Sequence, residues 1–201
     1  KNCNFFIVTV PTPIFKNKKP DLSMLIESCK LIGKVLKKND IIFFESTVYP
    51  GVTNKICKKT LEKISGLKSS KDFFLGYSPE RINPGDKTKK LNTINKIVAF
   101  NDKNSKRVKT VKEIFKKISK NITYTNDLES AETAKVIENI QRDLNIGLFN
   151  EIFKFCDKAN INFNEVIRLA STKWNFIKFK PGLVGGHWLP VDPYYLSYIS
   201  K

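Results

Sequence analysis

The sequence is poor in residues that hold metals or cross-link a chain. His187 is the only histidine in 201 residues, and four cysteines stand far apart with no CxxC pair: Cys3, Cys29, Cys57 and Cys156. These spacings exclude the usual zinc motifs and disulfide frameworks, and they favour reduced and mostly buried thiols. We therefore expect no metal in this protein.

Long apolar runs are also absent. No stretch approaches the roughly 20 apolar residues of a membrane-spanning helix, and the first residues show no signal-peptide pattern. With 41% hydrophobic and 27% charged residues, the composition is typical of a globular protein. We expect a cytoplasmic protein without a membrane partner.

Arginine is scarce although the chain is strongly basic. Only four of 36 basic residues are arginines, and the formal net charge is +17. Arginine is the preferred reader of phosphates and bases, and no aromatic and basic RNA-binding pattern is present. A solvated lysine-rich surface explains the charge better than a nucleic-acid-binding module, which stays open as an alternative resting on charge alone. We expect no nucleic-acid partner.

The sequence also lacks a GxGxxG turn. A complete dinucleotide-binding fold opens with a strand and this turn, which places a pyrophosphate at a helix N-terminus. The chain instead begins inside a segment with the composition of a strand and stops just after an aromatic segment. We expect these residues to be the middle part of a longer protein.

What the sequence does contain is an alternation of strands and helices. The apolar runs NFFIVTV, IIFF, FFLGY, KIVAF and ITYT are separated by amphipathic helical stretches. This order predicts an α/β fold with a doubly wound parallel sheet. From Asp127 to about Asn160 a helical period continues without proline, and Asn162 with Glu165 predicts the start of another helix. The final segment, rich in Gly, Pro and aromatic residues, is expected to form a binding loop.

Polar residues follow three successive predicted strands. In open α/β sheets, ligands collect at the carboxyl ends of strands. Thr12 in VPTP, Thr47 in ESTVYPG and Glu80 in GYSPERINPGD would then line one crevice with two hydroxyls and a carboxylate. The alternative is that each segment is only a tight turn.

Three polar residues share one face of the long predicted helix. Lys135, Asn139 and Arg142 stand at positions i, i+4 and i+7. An ammonium and a carboxamide facing a crevice could stabilise an oxyanion, and Asp192 near them could accept or orient a proton through water. The alternative is a solvated polar stripe.

Five motifs together resemble one enzyme family. IVTVPTP, ESTVYPGVT, GYSPERINPGD, AKVIENIQRDLNIGLFNE and TKWNFIKFKPGLVGGHWLPVDPYYL occur in this order. They are similar to motifs of the UDP-glucose/GDP-mannose dehydrogenase family, and most of all of its bacterial UDP-N-acetylhexosamine 6-dehydrogenases. The resemblance implies oxidation of the sugar's C6 alcohol to a carboxylate by two NAD molecules, for surface polysaccharide biosynthesis. It also implies a partial Rossmann-like NAD-binding domain at 1–126, and the central helix with a truncated middle domain at 127–201.

The resemblance implies roles for individual residues. Lys135 and Asn139 would stabilise the oxyanion at C6, and Asp192 would handle the hydrolytic water or orient the lysine. Thr47 and Glu80 would position water and the C6 group. The cofactor side would comprise Pro11, Thr12, Pro13, Thr47 and Glu80. The nucleotide sugar would contact Glu80, Lys135, Asn139, Arg142, Lys173, Trp174, Asn175, Phe176, Gly182, Gly185 and Gly186.

The chain departs from the family pattern in three places. The GxGxxG unit and the C-terminal nucleotide-binding domain are absent, and Trp188 occupies the place of the nucleophilic cysteine. In the family this cysteine attacks the aldehyde, the thiohemiacetal gives up the second hydride to NAD, and the resulting thioester is hydrolysed. An indole has no ionisable thiol, so we expect this chain to be inactive. A changed codon at 188, or a non-catalytic copy that binds nucleotide sugar or pairs with an active homologue, remain as alternatives.

One apolar stripe of the long helix suggests a homodimer. Its members are Ile137, Leu144, Leu148 and Ile152. The family resemblance points in the same direction. The alternative is that this stripe packs against the chain's own sheet domain.

Overall fold

The computed structural model describes residues 3–82, 91–183 and 191–200, which form two compact units. The first unit comprises the residues up to Val136 together with those from Tyr194 onward, and the second runs from Ile137 to Pro193. No helix within the described ranges has the length and apolar character needed to cross a membrane. The domain boundary predicted between residues 126 and 127 stays a prediction.

A five-stranded sheet forms the centre of the first unit. The strands lie side by side in chain order: β1 Phe5–Val8, β2 Ile41–Phe44, β3 Phe74–Tyr77, β4 Asn95–Phe100 and β5 Asn121–Thr125. The α/β class is confirmed, and β1, β2 and β3 are parallel, as are β4 and β5. The sheet is mostly parallel, as predicted, and the exception is β4, which runs antiparallel to β3. An antiparallel pair needs no crossover helix, and the described residues contain none between these strands.

The described residues also form six α-helices. These are α1 Ser23–Gly33, α2 Lys58–Ser65, α3 Ser105–Ile118, α4 Leu128–Lys158, α5 Phe163–Ala170 and α6 Asp192–Ile199, and a π-helical turn, Thr53–Cys57, leads into α2. The long helix predicted from Asp127 is α4, with 31 residues. Asn162 caps α5 by accepting a hydrogen bond from the backbone N–H of Glu165. The segment predicted to be a loop contains α6, whose Asp192 and Pro193 are favourable at a helix start.

Apolar residues cover both faces of the sheet. Ile42 and Phe44 of β2 join a core with α1, α2 and the first turns of α4. Ile41 and Phe43, which alternate with them, join a second core with α3. Burial on both faces explains why these strands read as continuous apolar runs, and it identifies a doubly wound sheet.

The cysteines are free thiols, as the sequence predicts. Cys29, Cys57 and Cys156 are buried, and Cys3 is exposed. A hydrogen bond with Cys29, together with burial, raises the pKa of the Cys57 thiol far above its usual range. Such a thiol is a poor nucleophile at neutral pH.

Candidate active site

The loops that follow β1 and β2 are bonded to each other. The hydroxyl of Thr12, which is fully buried, donates a 2.5 Å hydrogen bond to the backbone carbonyl of Thr47. Beside it, the Ser46 hydroxyl donates to the carbonyl of Val10 at 2.6 Å. Two of the residues proposed at the strand ends are therefore adjacent, and the Thr12 hydroxyl is engaged by the protein itself.

A buried tyrosine completes this arrangement. The Tyr195 hydroxyl donates a hydrogen bond to the backbone carbonyl of Thr12, and its ring packs edge-on against Tyr49 with 6.2 Å between centroids. Tyr195 is fully buried. It was not among the predicted site residues, and nothing in the sequence indicates that it reaches the loop after β1.

Glu80 lies three residues beyond β3, with one carboxylate oxygen hydrogen-bonded and the other near an ammonium. Its Oε1 accepts hydrogen bonds from the backbone N–H groups of Arg81 and Ile82 at 2.6 and 2.7 Å. Its Oε2 lies 3.9 Å from Nζ of Lys96, which also lies 3.0 Å from Oε1 of Glu45. Burial raises the pKa of Glu45 above its usual value, although the Lys96 ammonium opposes this shift.

Neither Glu45 nor Lys96 was among the predicted site residues. Glu45 directly precedes Ser46 and Thr47 in the motif ESTVYPGVT. Lys96 stands inside an apolar strand run, and a charged residue at such a position is a signal that could have singled it out.

Another buried carboxylate, Glu132, connects α4 to the loop after β2. Its two oxygens accept hydrogen bonds from the backbone N–H groups of Gly51 at 2.6 Å and Thr53 at 2.9 Å. Burial raises the pKa of Glu132, and these hydrogen bonds oppose the shift. Gly51 has φ of +93°, a conformation that favours glycine. Glu132 precedes Lys135 by one turn, so the Thr47 loop is fixed to the helix that carries this lysine.

The polar stripe of α4 is only partly solvated. Lys135, which belongs to the first unit, and Arg142 are half-buried. In the second unit, Asn139 is 4% exposed and its side-chain amide donates a 2.5 Å hydrogen bond to Oδ2 of the fully buried Asp192. A buried carboxamide bonded to a buried carboxylate is not a solvated surface, and it is fixed in orientation.

The proposed sugar-nucleotide residues of the second unit are mostly exposed. Lys173, Trp174 and Asn175 are exposed, with Trp174 at 93%, whereas Phe176 packs near Phe149 at 6.2 Å between centroids.

Gly182 is held by a residue that was not predicted. Its backbone N–H donates to Asn150 Oδ1 at 2.7 Å, and its carbonyl accepts from Asn150 Nδ2 at 2.8 Å. Asn150 belongs to the motif AKVIENIQRDLNIGLFNE, but nothing in the sequence indicates that it bonds to a glycine 32 residues away. Three other residues of the predicted site, Gly185, Gly186 and Trp188, lie outside the described residues.

The sheet and the positions of its polar residues first indicate a broad class of protein. A doubly wound sheet whose polar residues gather at the carboxyl ends of neighbouring strands is the architecture of nucleotide-binding α/β enzymes. Residues 1–119 match the NAD binding domain of the UDP-glucose/GDP-mannose dehydrogenase family, and residues 129–201 match its central domain. The chain belongs to this family, which confirms the resemblance seen in the motifs.

Named relatives align with the whole chain. UDP-N-acetyl-D-glucosamine 6-dehydrogenase of Pseudomonas aeruginosa is 50% identical over 202 residues, and the protein of the same name from Salmonella typhi is 48% identical. Each alignment covers 100% of this chain and 47% of the relative. The structure of UDP-D-ManNAc dehydrogenase from Pyrococcus horikoshii matches with a TM-score of 0.89 at 34% identity, over 100% of this chain and 48% of that one. The chain thus spans about half the length of these relatives.

Proposed function

We propose that these residues are part of a cytoplasmic, NAD-dependent UDP-N-acetylhexosamine 6-dehydrogenase that makes uronic acids for surface polysaccharides. The observation that carries the proposal is 50% identity, across the entire chain, to a UDP-N-acetyl-D-glucosamine 6-dehydrogenase. The reaction takes the C6 alcohol to a carboxylate, with removal of two hydrides and consumption of one water. Residues 1–126 would form part of the NAD-binding domain, and residues 127–201 the central helix and part of the middle domain.

The loops at the carboxyl ends of β1 to β3 fit one side of a dinucleotide site. Pro11 is exposed and Pro13 half-buried beside the buried Thr12, so the first loop presents apolar surface and backbone there. Together with Thr47 and Glu80 they would hold the nicotinamide side of NAD, which would accept the hydride from C6. The 201 residues contain no GxGxxG turn for the pyrophosphate.

Because these loops would hold only the nicotinamide side of NAD, we predict that the 201-residue chain alone binds NAD weakly. We expect calorimetric titration of the 201-residue chain with NAD to show no saturable binding at submillimolar concentration, because the phosphate-binding turn is absent. A saturable micromolar isotherm would contradict this view of the cofactor site.

Residues of α4 and α6 would stabilise the charge that develops at C6. Lys135 would supply an ammonium, and Asn139 a carboxamide whose orientation is fixed by its bond to Asp192. Asp192 would orient these groups and the hydrolytic water. Arg142, Lys173, Trp174, Asn175, Phe176 and the backbone of Gly182, Gly185 and Gly186 would hold the nucleotide sugar.

Trp188 would block the second half of the reaction. Oxidation of the aldehyde in this family passes through a covalent adduct of a cysteine, and an indole cannot form one. Of the remaining cysteines, Cys29, Cys57 and Cys156 are buried. We therefore propose that the chain is inactive as it stands.

The test uses these 201 residues in place of the matching segment of the Pseudomonas aeruginosa relative, a protein we call the completed enzyme. We expect the completed enzyme to give no uronic acid from UDP-N-acetylglucosamine or UDP-N-acetylgalactosamine. Trp188→Cys should restore two NADH per sugar and sensitivity to thiol alkylation, both followed by absorbance and intact mass. Full turnover with tryptophan present would contradict the assignment of position 188.

A non-catalytic role is the second candidate, and Trp188 is the observation that favours it. A homologue without the nucleophile would bind nucleotide sugar or support an active partner. If the Trp188→Cys variant of the completed enzyme folds and binds NAD but stays inactive, the non-catalytic role is preferred.

We also propose that α4 contributes to a homodimer. Ile137, Leu144 and Leu148 are 51%, 67% and 55% exposed, and Ile152 is half-buried. An apolar stripe of this kind is suited to a second copy of the same helix. Leu144→Glu should convert the completed enzyme from dimer to monomer in sedimentation analysis, whereas Lys154→Glu on the same helix should not. A monomer without any substitution would contradict the proposal.

A further inference from the structure

Lys96 is the one buried lysine in the part of the chain that the structure describes. It lies in β4 with 2% of its side chain exposed, and its Nζ is 3.0 Å from Glu45 and 3.9 Å from Glu80. Burial of an ammonium is unfavourable unless it is paired. Here two carboxylates, from the loops after β2 and β3, share one ammonium.

Glu45 alone would be enough to pair Lys96. It is the nearer carboxylate and only 12% of its side chain is exposed. Glu80 differs, because 44% of its side chain is exposed while both of its oxygens face protein donors. A carboxylate that is oriented by hydrogen bonds at one oxygen and by an ammonium near the other, and that is open to solvent, is pre-oriented to bind a ligand.

The three charged groups, Lys96, Glu45 and Glu80, interact electrostatically with one another. Lys96 lowers the pKa of Glu45, while burial and the charge of Glu80 raise it. Without the ammonium the two carboxylates would repel each other. Glu80 is the more exposed of the two, so it is the one that can move away.

We propose that Lys96 is a positioning residue that holds the Glu80 carboxylate at the edge of the sheet where β2 and β3 end. This inference rests on the proposed function, in which Glu80 positions the C6 group and water. Lys96 acts through Glu80 and does not itself contact the sugar.

The first experiment uses the 201-residue chain and needs no activity. Amide hydrogen exchange at Arg81 and Ile82, measured by NMR, reports whether Glu80 still accepts their hydrogen bonds. We expect Lys96→Met to accelerate this exchange by about tenfold, which corresponds to loss of a hydrogen bond to a charged group. Lys38→Met is the control, because Lys38 is 73% exposed and pairs with Asp72. Unchanged exchange in Lys96→Met would overturn the inference.

The second experiment uses the completed enzyme with the Trp188→Cys substitution. Lys96→Met should lower kcat by about 10- to 100-fold, as a misplaced active-site group does, with KM nearly unchanged. Lys96→Arg keeps the charge and should retain most of kcat.

A double variant separates positioning from simple charge pairing. Lys96→Met combined with Glu45→Gln removes the unpaired buried carboxylate, so folding stability should recover while kcat stays low. If kcat recovers together with stability, Lys96 is only the counter-ion of Glu45 and the inference is wrong. If the Trp188→Cys enzyme makes no NADH even with Lys96 present, the proposed function fails, and the amide exchange alone decides the role of Lys96.

Discussion

In the first unit, Arg107 Nε lies 2.6 Å from Asp102, and only 12% and 3% of the two side chains are exposed. In the second unit, Arg168 Nη2 lies 2.6 Å from Glu165, but 65% and 50% of these side chains are exposed. The two pairs have the same chemistry and the same length. Their surroundings differ, because one is enclosed by the fold and the other is in solvent.

The candidate site residues also differ in burial. Thr12 and Glu132 of the first unit, like Asn139 and Asp192 of the second, are buried, whereas Trp174 in the second unit is 93% exposed. A buried polar group is oriented by the fold itself, while an exposed one gains its surroundings only when a ligand or partner binds. Substitutions of the buried residues should therefore change stability or catalysis, and those in the exposed segment that carries Trp174 should change binding.

The largest expected effect compares two lysines of the completed enzyme carrying Trp188→Cys. Lys135→Ala should lower kcat by about 10²–10³-fold, the usual loss for one oxyanion donor. Lys173→Ala should leave kcat unchanged and raise KM by about tenfold, since an exposed cation contributes equally to substrate and transition-state binding. Steady-state rates of NADH formation measure both. If Lys135→Ala left kcat unchanged, Lys135 would not be an oxyanion donor.

The next comparison is between two glutamates on α4. Glu132→Ala leaves the backbone N–H groups of Gly51 and Thr53 without their acceptor, and should lower the free energy of unfolding by about 3 kcal/mol. Glu129→Ala removes a partly exposed ion pair with Lys55 and should cost less than about 0.5 kcal/mol. Urea unfolding of the 201-residue chain measures the difference. Equal losses of unfolding free energy in the two variants would show that burial does not determine how much each carboxylate contributes to stability.

The smallest expected effect concerns the two arginine pairs. Burial alone would raise the pKa of Asp102, but hydrogen bonds from Arg107 and the Asn104 backbone outweigh it and hold the pKa below its ordinary 3.8. Asp102→Asn should therefore lower the free energy of unfolding by about 2 kcal/mol at pH 7. Because the pKa of Asp102 is lower in the folded state than in the unfolded state, the ionised carboxylate stabilises the folded state above pH 3.8. This stabilisation is lost as the pH falls below that value.

Glu165→Gln is the matched control for this pair. Arg168 lowers the pKa of Glu165, but both side chains are exposed and solvent screens their attraction. We expect no measurable change in the free energy of unfolding at pH 7. A loss as large as that of Asp102→Asn would show that burial is not what gives the first pair its strength.

Local signals in the sequence predicted most of the fold. A helical period without proline predicted α4, and Asn162 with Glu165 predicted the start of α5, because caps and periodicity act over a few residues. The direction of β4 was not predicted, since an apolar run such as KIVAF carries no information on parallel or antiparallel pairing. α6 was missed because its aromatic residues were taken for a loop, although Asp192 and Pro193 mark a helix start.

The candidate site was predicted less completely than the fold. Strand order brings Thr12 beside Thr47, and the rule that polar loops gather at strand ends anticipates such neighbours. The Lys96 pairs with Glu45 and Glu80 depend on three strands lying side by side, which no local pattern encodes. The roles assigned to these residues stay predictions.

The hydrogen bond from Tyr195 to Thr12 also determines when the first unit can be completed during synthesis. The two residues stand 183 positions apart. At about 5–20 residues per second, the ribosome needs about 10–40 s after Thr12 before Tyr195 is made. In the last part of this interval, after Thr125 has been made, the nascent sheet has all five strands but lacks the buried phenol at their carboxyl ends. A ribosome stalled before residue 195 would therefore carry a first unit in which the loop after β1 lacks its hydrogen bond from Tyr195.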